Sequence, residues 1–263
     1  MPKTYGSRIM TRVPLWPDIP RPLIFGHRGY SSRAPENTMA AFREARRAGV
    51  PGIELDIHRC VTGELVVSHD RDLNRVAGRS CIIDESSLEA VRELEVGSWF
   101  DAKFNEKVPL LEEIFAEFGD SFYYDIEIKH QEVQANALET SLTGLIQRFG
   151  LEHRCMVSSF NPFAIRAFKH LNPRVPTAII YSRTNDLPLL LRRGQGRYVS
   201  HCDVMKPNHL GVTAYAVFRH TRLSGMPIVP WTVDNVELAR SLIKRGAQGV
   251  ISNDPEPIMN ALR

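Results

Sequence analysis

Residues 52–70 read Gly52-Ile53-Glu54-Leu55-Asp56-Ile57-His58-Arg59-Cys60-Val61-Thr62-Gly63-Glu64-Leu65-Val66-Val67-Ser68-His69-Asp70. Two apolar runs, Gly52–Ile57 and Glu64–Ser68, flank a Thr62-Gly63 turn. Only about six residues separate them, and a parallel crossover needs a dozen or more, so the pair must be an antiparallel hairpin. Its two arms are nearly equal, which folds His69 back beside Asp56. Side chains two apart on a strand share a face, so Glu54 and Asp56 point together. Ile53, Leu55 and Ile57 take the other face.

Around the hairpin the chain keeps a strand-then-helix rhythm, the mark of parallel βαβ units. The predicted strands are Leu23–Gly26, Gly52–Ile57, Ser121–Ile128, Arg154–Ser158, Thr177–Tyr181, Tyr198–Cys202, Pro227–Val233 and Gly249–Ile251. The predicted helices are Glu36–Ala48, Pro109–Phe118, Gln131–Phe149, Pro162–Leu171, Asp186–Arg193, Thr213–Leu223, Asn235–Arg245 and a last one from Asp254. Asn37 and Thr38 open the first helix, Asn161 caps the fourth, and Gly49, Gly150, Gly225 and Gly246 stop theirs. Eight such units make an α/β chain of the (β/α)₈ TIM-barrel class. The hairpin then leaves the barrel top, and Asp70–Val108 is an insertion forming a cap or side subdomain near the mouth. Five prolines between Pro2 and Pro22 make residues 1–22 an extended arm outside the core, with residues 23–263 as one barrel domain.

Composition narrows the function classes. The 263 residues are 43% apolar and 24% charged, a globular mixture. No apolar run approaches the ~18–20 residues of a membrane span, and Met1–Ile19 lacks the continuous apolar stretch of a secretory signal. Cys60, Cys81, Cys155 and Cys202 stand far apart without a C-x-x-C pair, against a zinc site or a disulfide scaffold. A reduced, cytoplasmic setting is expected. A net charge of +3 does not point to nucleic acid. Between Glu152 and Gly225, however, eleven Lys and Arg face three Asp and Glu, either a solvated surface or a positive face for an anionic substrate or phospholipid headgroup.

The unusual polar residues cluster at carboxyl ends of predicted strands: His27-Arg28-Gly29, Glu54 and Asp56, His69-Asp70, and Glu127 with Lys129. In a barrel these ends meet on one face, where active sites are built. Three inward carboxylates cannot all stay ionised without a counter-charge. Arg28 and Lys129 supply two positive charges and leave one acid unmatched. Oxygen ligands without cysteine favour one divalent cation, Mg²⁺ or Ca²⁺. His27 and His69 both end apolar strands beside acids, as a general base and a general acid would. Together these parts suit phosphodiester cleavage. His130, His153, His170 and His220 are taken as structural or surface residues. Asn37 and Trp231 are candidates for the substrate pocket, Lys206 for a headgroup or phosphate contact, and His201 a weaker one.

The ordered series His27-Arg-Gly, Pro35-Glu-Asn-Thr, Gly52-Ile-Glu-Leu-Asp, Val66-Val-Ser-His69-Asp, Ile126-Glu-Ile-Lys, Ser158-Ser-Phe-Asn, Trp231-Thr-Val and Gly249-Val-Ile-Ser resembles the glycerophosphodiester phosphodiesterase family. The resemblance implies a metal-dependent TIM barrel that hydrolyses small glycerophosphodiesters to sn-glycerol 3-phosphate and an alcohol. Position by position it makes His27 and His69 the acid–base pair, Glu54, Asp56 and Glu127 the metal ligands, and Arg28 and Lys129 phosphate contacts. The chain departs from the family pattern at the hairpin turn, Cys60-Val-Thr-Gly63, at Asp234 where asparagine is usual, and at Ser252-Asn253 where Thr-Asp is usual. Two other readings compete. One is a lysophospholipase D-like or sphingomyelinase D-like enzyme acting on lipids, which no membrane anchor supports. The other is a non-catalytic barrel binding a phosphate ligand, which would need no acid–base pair.

Overall fold

The computed structural model describes residues 15–16, 21–129, 137–183, 188–189 and 191–263. Seven strands run parallel in one sheet: β1 (Leu23–His27), β2 (Gly52–Arg59), β4 (Tyr123–Ile128), β5 (Cys155–Ser159), β6 (Thr177–Tyr181), β7 (Val204–Pro207) and β8 (Gly249–Ser252). Their order is β7-β6-β5-β4-β2-β1-β8. The strand β3 (Leu65–Val67) pairs antiparallel with β2, with Ile57 opposite Val67 and Arg59 opposite Leu65, and its other edge bridges Leu110 through Val66. The hairpin expected from its short connection is therefore present, and Ser68 N donates to Asp56 O at 3.0 Å, which brings His69 back to the acids.

The gap between β7 and β8 is closed by residues 227–233. On one side Met205 N donates to Pro227 O, Val229 N to Met205 O and Trp231 N to Pro207 O. On the other, Gln248 N donates to Ile228 O, Ile251 N to Pro230 O and Val233 N to Ile251 O. This segment is the predicted strand Pro227–Val233, reduced to isolated parallel bridges at Ile228 and Trp231. Pro227 and Pro230 have no N–H to give, which interrupts the ladder. With that segment in place the sheet closes on itself as a TIM barrel.

One predicted strand is wrong. Residues Arg197–Ser200 form a helical turn that ends at His201 in the left-handed region, φ 52°. The sixth parallel strand is Val204–Pro207 instead. The Tyr198–Cys202 run looks apolar, but Tyr198 is exposed, and burial follows Cys202, Val204 and Met205.

The strand alternation builds two cores. Outward residues Ile53, Leu55, Ile57, Ile126 and Ile128 join Phe42, Phe115 and Phe118 of the surrounding helices. Inward residues Leu23, Phe25, Met156, Ala178, Val204, Val229 and Ile251 fill the barrel. Leu15 and Trp16 belong to this inner cluster, with the Trp16 ring 5.9 Å from Phe25 and 4.8 Å from Tyr123. The expectation that residues 1–22 avoid the core thus fails for these two; most of that arm lies outside the described residues. Residues 70–108 gather Leu73, Val76, Ile83, Val91, Leu94, Val96 and Val108 into a third cluster with Cys60 and Val66 of the hairpin.

Helix ends follow side-chain chemistry. Thr38 Oγ1 accepts from Ala41 N at the start of Met39–Arg47, and Asn161 Oδ1 from Phe163 N at the start of Pro162–Leu171. The predicted helix at Thr213–Leu223 is Ala214–Val217 continued by a π-helical segment, Phe218–Leu223. The third helix is described from Ala137, and its predicted start, like His130, lies outside the described residues. Of Asp186–Arg193, the described residues are not helical and the others lie outside the description.

Candidate active site

The carboxyl ends of β1, β2, β4 and the β2–β3 hairpin deliver the polar residues to one place. The parallel register sets His27 beside Glu54, Glu54 beside Asp125, and Asp56 beside Glu127. After β1 the chain turns through Arg28 in the left-handed region, φ 54°, which aims its backbone N–H at Glu54 Oε2, 3.0 Å away. Gly29 follows at φ 85°, and a Cβ there would stand 2.7 Å from the Ala41 side chain, so only glycine fits.

Ligand oxygens of Glu54, Asp56 and Glu127 all lie within 4.8 Å of one another, and all three side chains are buried. Lys129 Nζ reaches Asp56 Oδ1 at 3.2 Å and Glu127 Oε1 at 2.9 Å. Arg28 Nε lies 3.4 Å from Asp56 Oδ2, while its Nη1 bonds Glu36 at 2.8 Å. Lys206 also pulls on Glu54 and Glu127, but its ammonium pairs directly with a fourth buried acid, Asp125, at 2.6 Å. The cluster is one positive charge short. Burial and repulsion from Asp56 accordingly push the Glu54 carboxyl well above the usual carboxylate range. Burial also raises Glu127, against the pull of Lys129. Burial would raise Asp56 too, but Lys129, Arg28, His69 and the Asn37 amide hold it well below the ordinary value. Three converging hard oxygen donors with an unmatched charge fit a divalent cation of the Mg²⁺ or Ca²⁺ kind.

A cavity of about 130 Å³ opens above the trio, lined by His27, Arg28, Glu54, His69, Glu127, Lys129, Phe160, Lys206 and Trp231 among others. A larger open groove beside Glu64, Leu110, Ser141 and Arg148 lacks such a convergence of acids, cations and imidazoles. His27 Nε2 is 3.9 Å from Glu54 Oε2, and burial, with Arg28 next, pushes the imidazole pKa down to about 4. His69 Nδ1 sits 2.7 Å from Asp70 Oδ1, and Asp70 Oδ2 accepts from Arg75 Nε at 2.5 Å.

Nine of the ten site residues expected from sequence meet at this cavity or in its acidic floor: His27, Arg28, Glu54, Asp56, His69, Glu127, Lys129, Lys206 and Trp231. Trp231 forms a wall, its ring edge-on to Phe160 at 5.7 Å and its Nε1 donating to Lys206 O. Asn37 reaches the site indirectly, donating through Nδ2 to Asp56 Oδ2 at 2.8 Å, so it sets the carboxylate rather than lining the cavity. Lys206 borders the cavity but is almost fully buried, and Asp125 and Ser158 engage its ammonium. His201 precedes β7, away from the strand's carboxyl end.

Sequence reasoning missed Phe160, Asp125 and the roles of Glu36 and Asp70 as partners of Arg28 and His69. It also missed Asn253, whose Oδ1 meets His27 Nδ1 at 2.7 Å. A signal was present for Asn253, which directly follows the last strand and so belongs to the face where strands end. Asp125 shares the inward parity of Glu127 and could have been found the same way.

The sequence pattern of the glycerophosphoryl diester phosphodiesterase family matches residues 27–257. A glycerophosphodiester phosphodiesterase of Caldanaerobacter subterraneus subsp. tengcongensis is 32% identical over 256 residues, covering 92% of this chain and 98% of the relative. The solved structure of a Thermotoga maritima glycerophosphodiester phosphodiesterase superposes with a TM-score of 0.71 at 25% identity, over 93% of this chain and 100% of the other. An Oleispira antarctica phosphodiesterase, solved with the product sn-glycerol-3-phosphate, superposes with a TM-score of 0.76 at 23% identity, over 92% of this chain and 97% of the other. With a TIM barrel, an acidic trio and two imidazoles already in place at its mouth, this chain is a hydrolase belonging to the glycerophosphoryl diester phosphodiesterase family.

Proposed function

We propose that the cavity cleaves small glycerophosphodiesters to sn-glycerol 3-phosphate and an alcohol, with His27 and His69 as the acid–base pair. Glu54, Asp56 and Glu127 hold one divalent cation, Mg²⁺ or Ca²⁺. The observation that carries this reading is the shared cavity: both imidazoles line it, and the unmatched acidic trio forms its floor. A bound cation of this class supplies charge neutralisation and polarisation of a phosphoryl oxygen.

The chain's own groups do the rest. Lys129, beside the trio, and Arg28, braced by Glu36, orient the phosphate and take up the negative charge that develops on it. His27, neutral at working pH because burial disfavours its charged form, accepts through Nε2 the proton of the attacking hydroxyl, the glycerol C2 hydroxyl or a water. The new O–P bond forms as the P–O bond to the alcohol breaks. His69, with Nδ1 held by Asp70, delivers a proton from Nε2 to the leaving oxygen. If the C2 hydroxyl attacks, water then opens the cyclic phosphate with the two histidines exchanging roles. Trp231 and Phe160 wall the cavity and limit the groups that fit.

The test is a panel of glycerophosphocholine, glycerophosphoethanolamine, glycerophosphoinositol and lysolipids, with coupled detection of glycerol 3-phosphate for the water-soluble diesters and of the released alcohol for the lysolipids. Turnover of the water-soluble diesters, lost with chelator and restored by Mg²⁺ or Ca²⁺, is expected. Turnover of lysolipids alone would move the substrate class to lipids, and no turnover of any of them with cation present would overturn the reading.

A further inference from the structure

His27 and His69 are held by different chemistry. His69 Nδ1 faces a carboxylate directly, Asp70 Oδ1 at 2.7 Å. His27 Nδ1 faces a neutral amide, Asn253 Oδ1 at 2.7 Å, and the carboxylate stands one residue further away. Asn253 Nδ2 donates to Asp234 Oδ2 at 2.8 Å, and Asn253 N donates to Asp234 Oδ1 at 2.7 Å. Ser252 Oγ also donates to Asp234 Oδ1, and Ser31 Oγ to Asn253 Oδ1.

An amide can be turned either way, and here its orientation is determined. A carboxylate only accepts hydrogen bonds, so the Asn253 NH₂ must face Asp234. That leaves Oδ1, also only an acceptor, against His27 and Ser31. His27 must then carry its proton on Nδ1 and present the Nε2 lone pair to the cavity. With the amide reversed, its NH₂ would donate to Nδ1, the ring proton would move to Nε2, and the ring could not accept a proton there.

We propose that Asp234 and Asn253 are positioning residues that select the Nδ1–H tautomer of His27, Asp234 acting through the Asn253 amide without touching the ring. The proposal rests on the reading of His27 as the group that takes the proton of the attacking hydroxyl. It explains why two residues outside the cavity lining bear on the reaction: Asp234 follows the barrel-closing segment and Asn253 follows β8, so closure of the barrel brings both to β1.

The test compares Asp234→Asn, Asn253→Asp and the double exchange. Asp234→Asn removes the group that dictates the amide's direction. It should lower kcat by about 10–100-fold, the usual worth of a partner that orients a functional imidazole, with KM nearly unchanged. Asn253→Asp sets two carboxylates against each other and should also lose turnover. The double exchange restores every pair: the amide introduced at position 234 donates to the carboxylate introduced at position 253, which accepts from His27 Nδ1. Its kcat should recover most of the loss.

Histidine ¹⁵N spectra of the same proteins give a readout independent of turnover: Nδ1–H in the parent and the double exchange, Nε2–H in a substantial fraction of Asp234→Asn. An unchanged His27 tautomer in Asp234→Asn, or a double exchange no better than the worse single variant, overturns the proposal. His27→Ala is assayed alongside. If it keeps near-normal turnover, the assignment of His27 as the base fails, whereas the tautomer spectra still decide the relay on their own.

Discussion

The ammonium of Lys206 lies 2.6 Å from Asp125 Oδ2, inside the barrel and beneath the cavity, with neither residue more than 1% exposed. Ser158 Oγ completes the pair, accepting from Lys206 Nζ at 2.9 Å and donating to Asp125 Oδ1 at 2.7 Å. Burial would lower the lysine pKa, but Asp125, Glu54 and Glu127 together raise it, so the side chain stays charged. Its direct partner is Asp125, so the four buried acids Glu54, Asp56, Asp125 and Glu127 face the three cations Arg28, Lys129 and Lys206, one charge short. Lys206→Met strands a buried carboxylate and should cost about 3–5 kcal/mol of stability, whereas Lys206→Met with Asp125→Leu should recover much of it. Urea unfolding of the two variants measures the difference; equal losses would show that the pair is not a coupled unit.

The acid trio gives a prediction that needs no turnover. A cation that binds only the folded chain adds about 2.7 kcal/mol of stability at one hundred times its Kd. Mg²⁺ or Ca²⁺ should therefore raise the melting temperature of chelator-stripped protein. Glu54→Gln and Glu127→Gln should each abolish most of that rise. Calorimetric scans with and without cation check it, and a full rise in either variant would remove that residue from the ligand set.

Replacement of the imidazoles should separate chemistry from metal binding. His27→Ala and His69→Ala should each lower turnover by about 10²–10⁴-fold, the ordinary contribution of acid–base catalysis. Neither residue is in the acidic trio, so both variants should keep the cation-induced rise in melting temperature. Loss of that rise in His27→Ala would instead mean that the imidazole takes part in holding the ion.

These residues differ in how openly the sequence displays them. The β2–β3 hairpin could be read because a connection that short permits one geometry, and because strand parity sends Glu54 and Asp56 one way and Ile53, Leu55 and Ile57 the other. The sixth parallel strand could not, since Val204–Pro207 is short and ends in Lys206-Pro207, which resembles a loop, while the more apolar Tyr198–Cys202 is partly a helical turn. Lys206 was legible as a cation near the site, which it lines, but its partner Asp125 was not. Asp125 lies far away in the chain and meets it only through barrel curvature. Asn253 and Asp234 were visible as departures from a family pattern, but their meaning depends on the closure that brings them to His27. Local periodicity places side chains on faces; which faces then meet is decided by closure of the sheet.

His220 provides a pH dependence outside the active site. The ring is fully buried, with Arg197 Nη1 2.8 Å from Nδ1, Arg219 Nη2 3.1 Å from Nε2, and the Tyr181 ring stacked obliquely at 6.4 Å. Burial, then Arg219 and Arg197, push its pKa down to about 4 from an ordinary 6.5. The folded ring is thus neutral where the unfolded ring already takes a proton. The stability this provides is complete above pH 6.5, falls as the pH drops toward 4, and levels off below it. Parent stability should decline across that window by up to about 1.4 kcal/mol per pH unit on account of this one ring. In His220→Gln that component disappears while every carboxylate contribution remains. The difference in unfolding free energy between parent and variant, measured by urea titration at pH 7, 6, 5 and 4.5, should therefore shift steadily in the variant's favour as the solution is acidified. A constant difference would mean that the ring is equally easy to protonate in the folded and unfolded chains, and that the flanking guanidinium groups do not act on it.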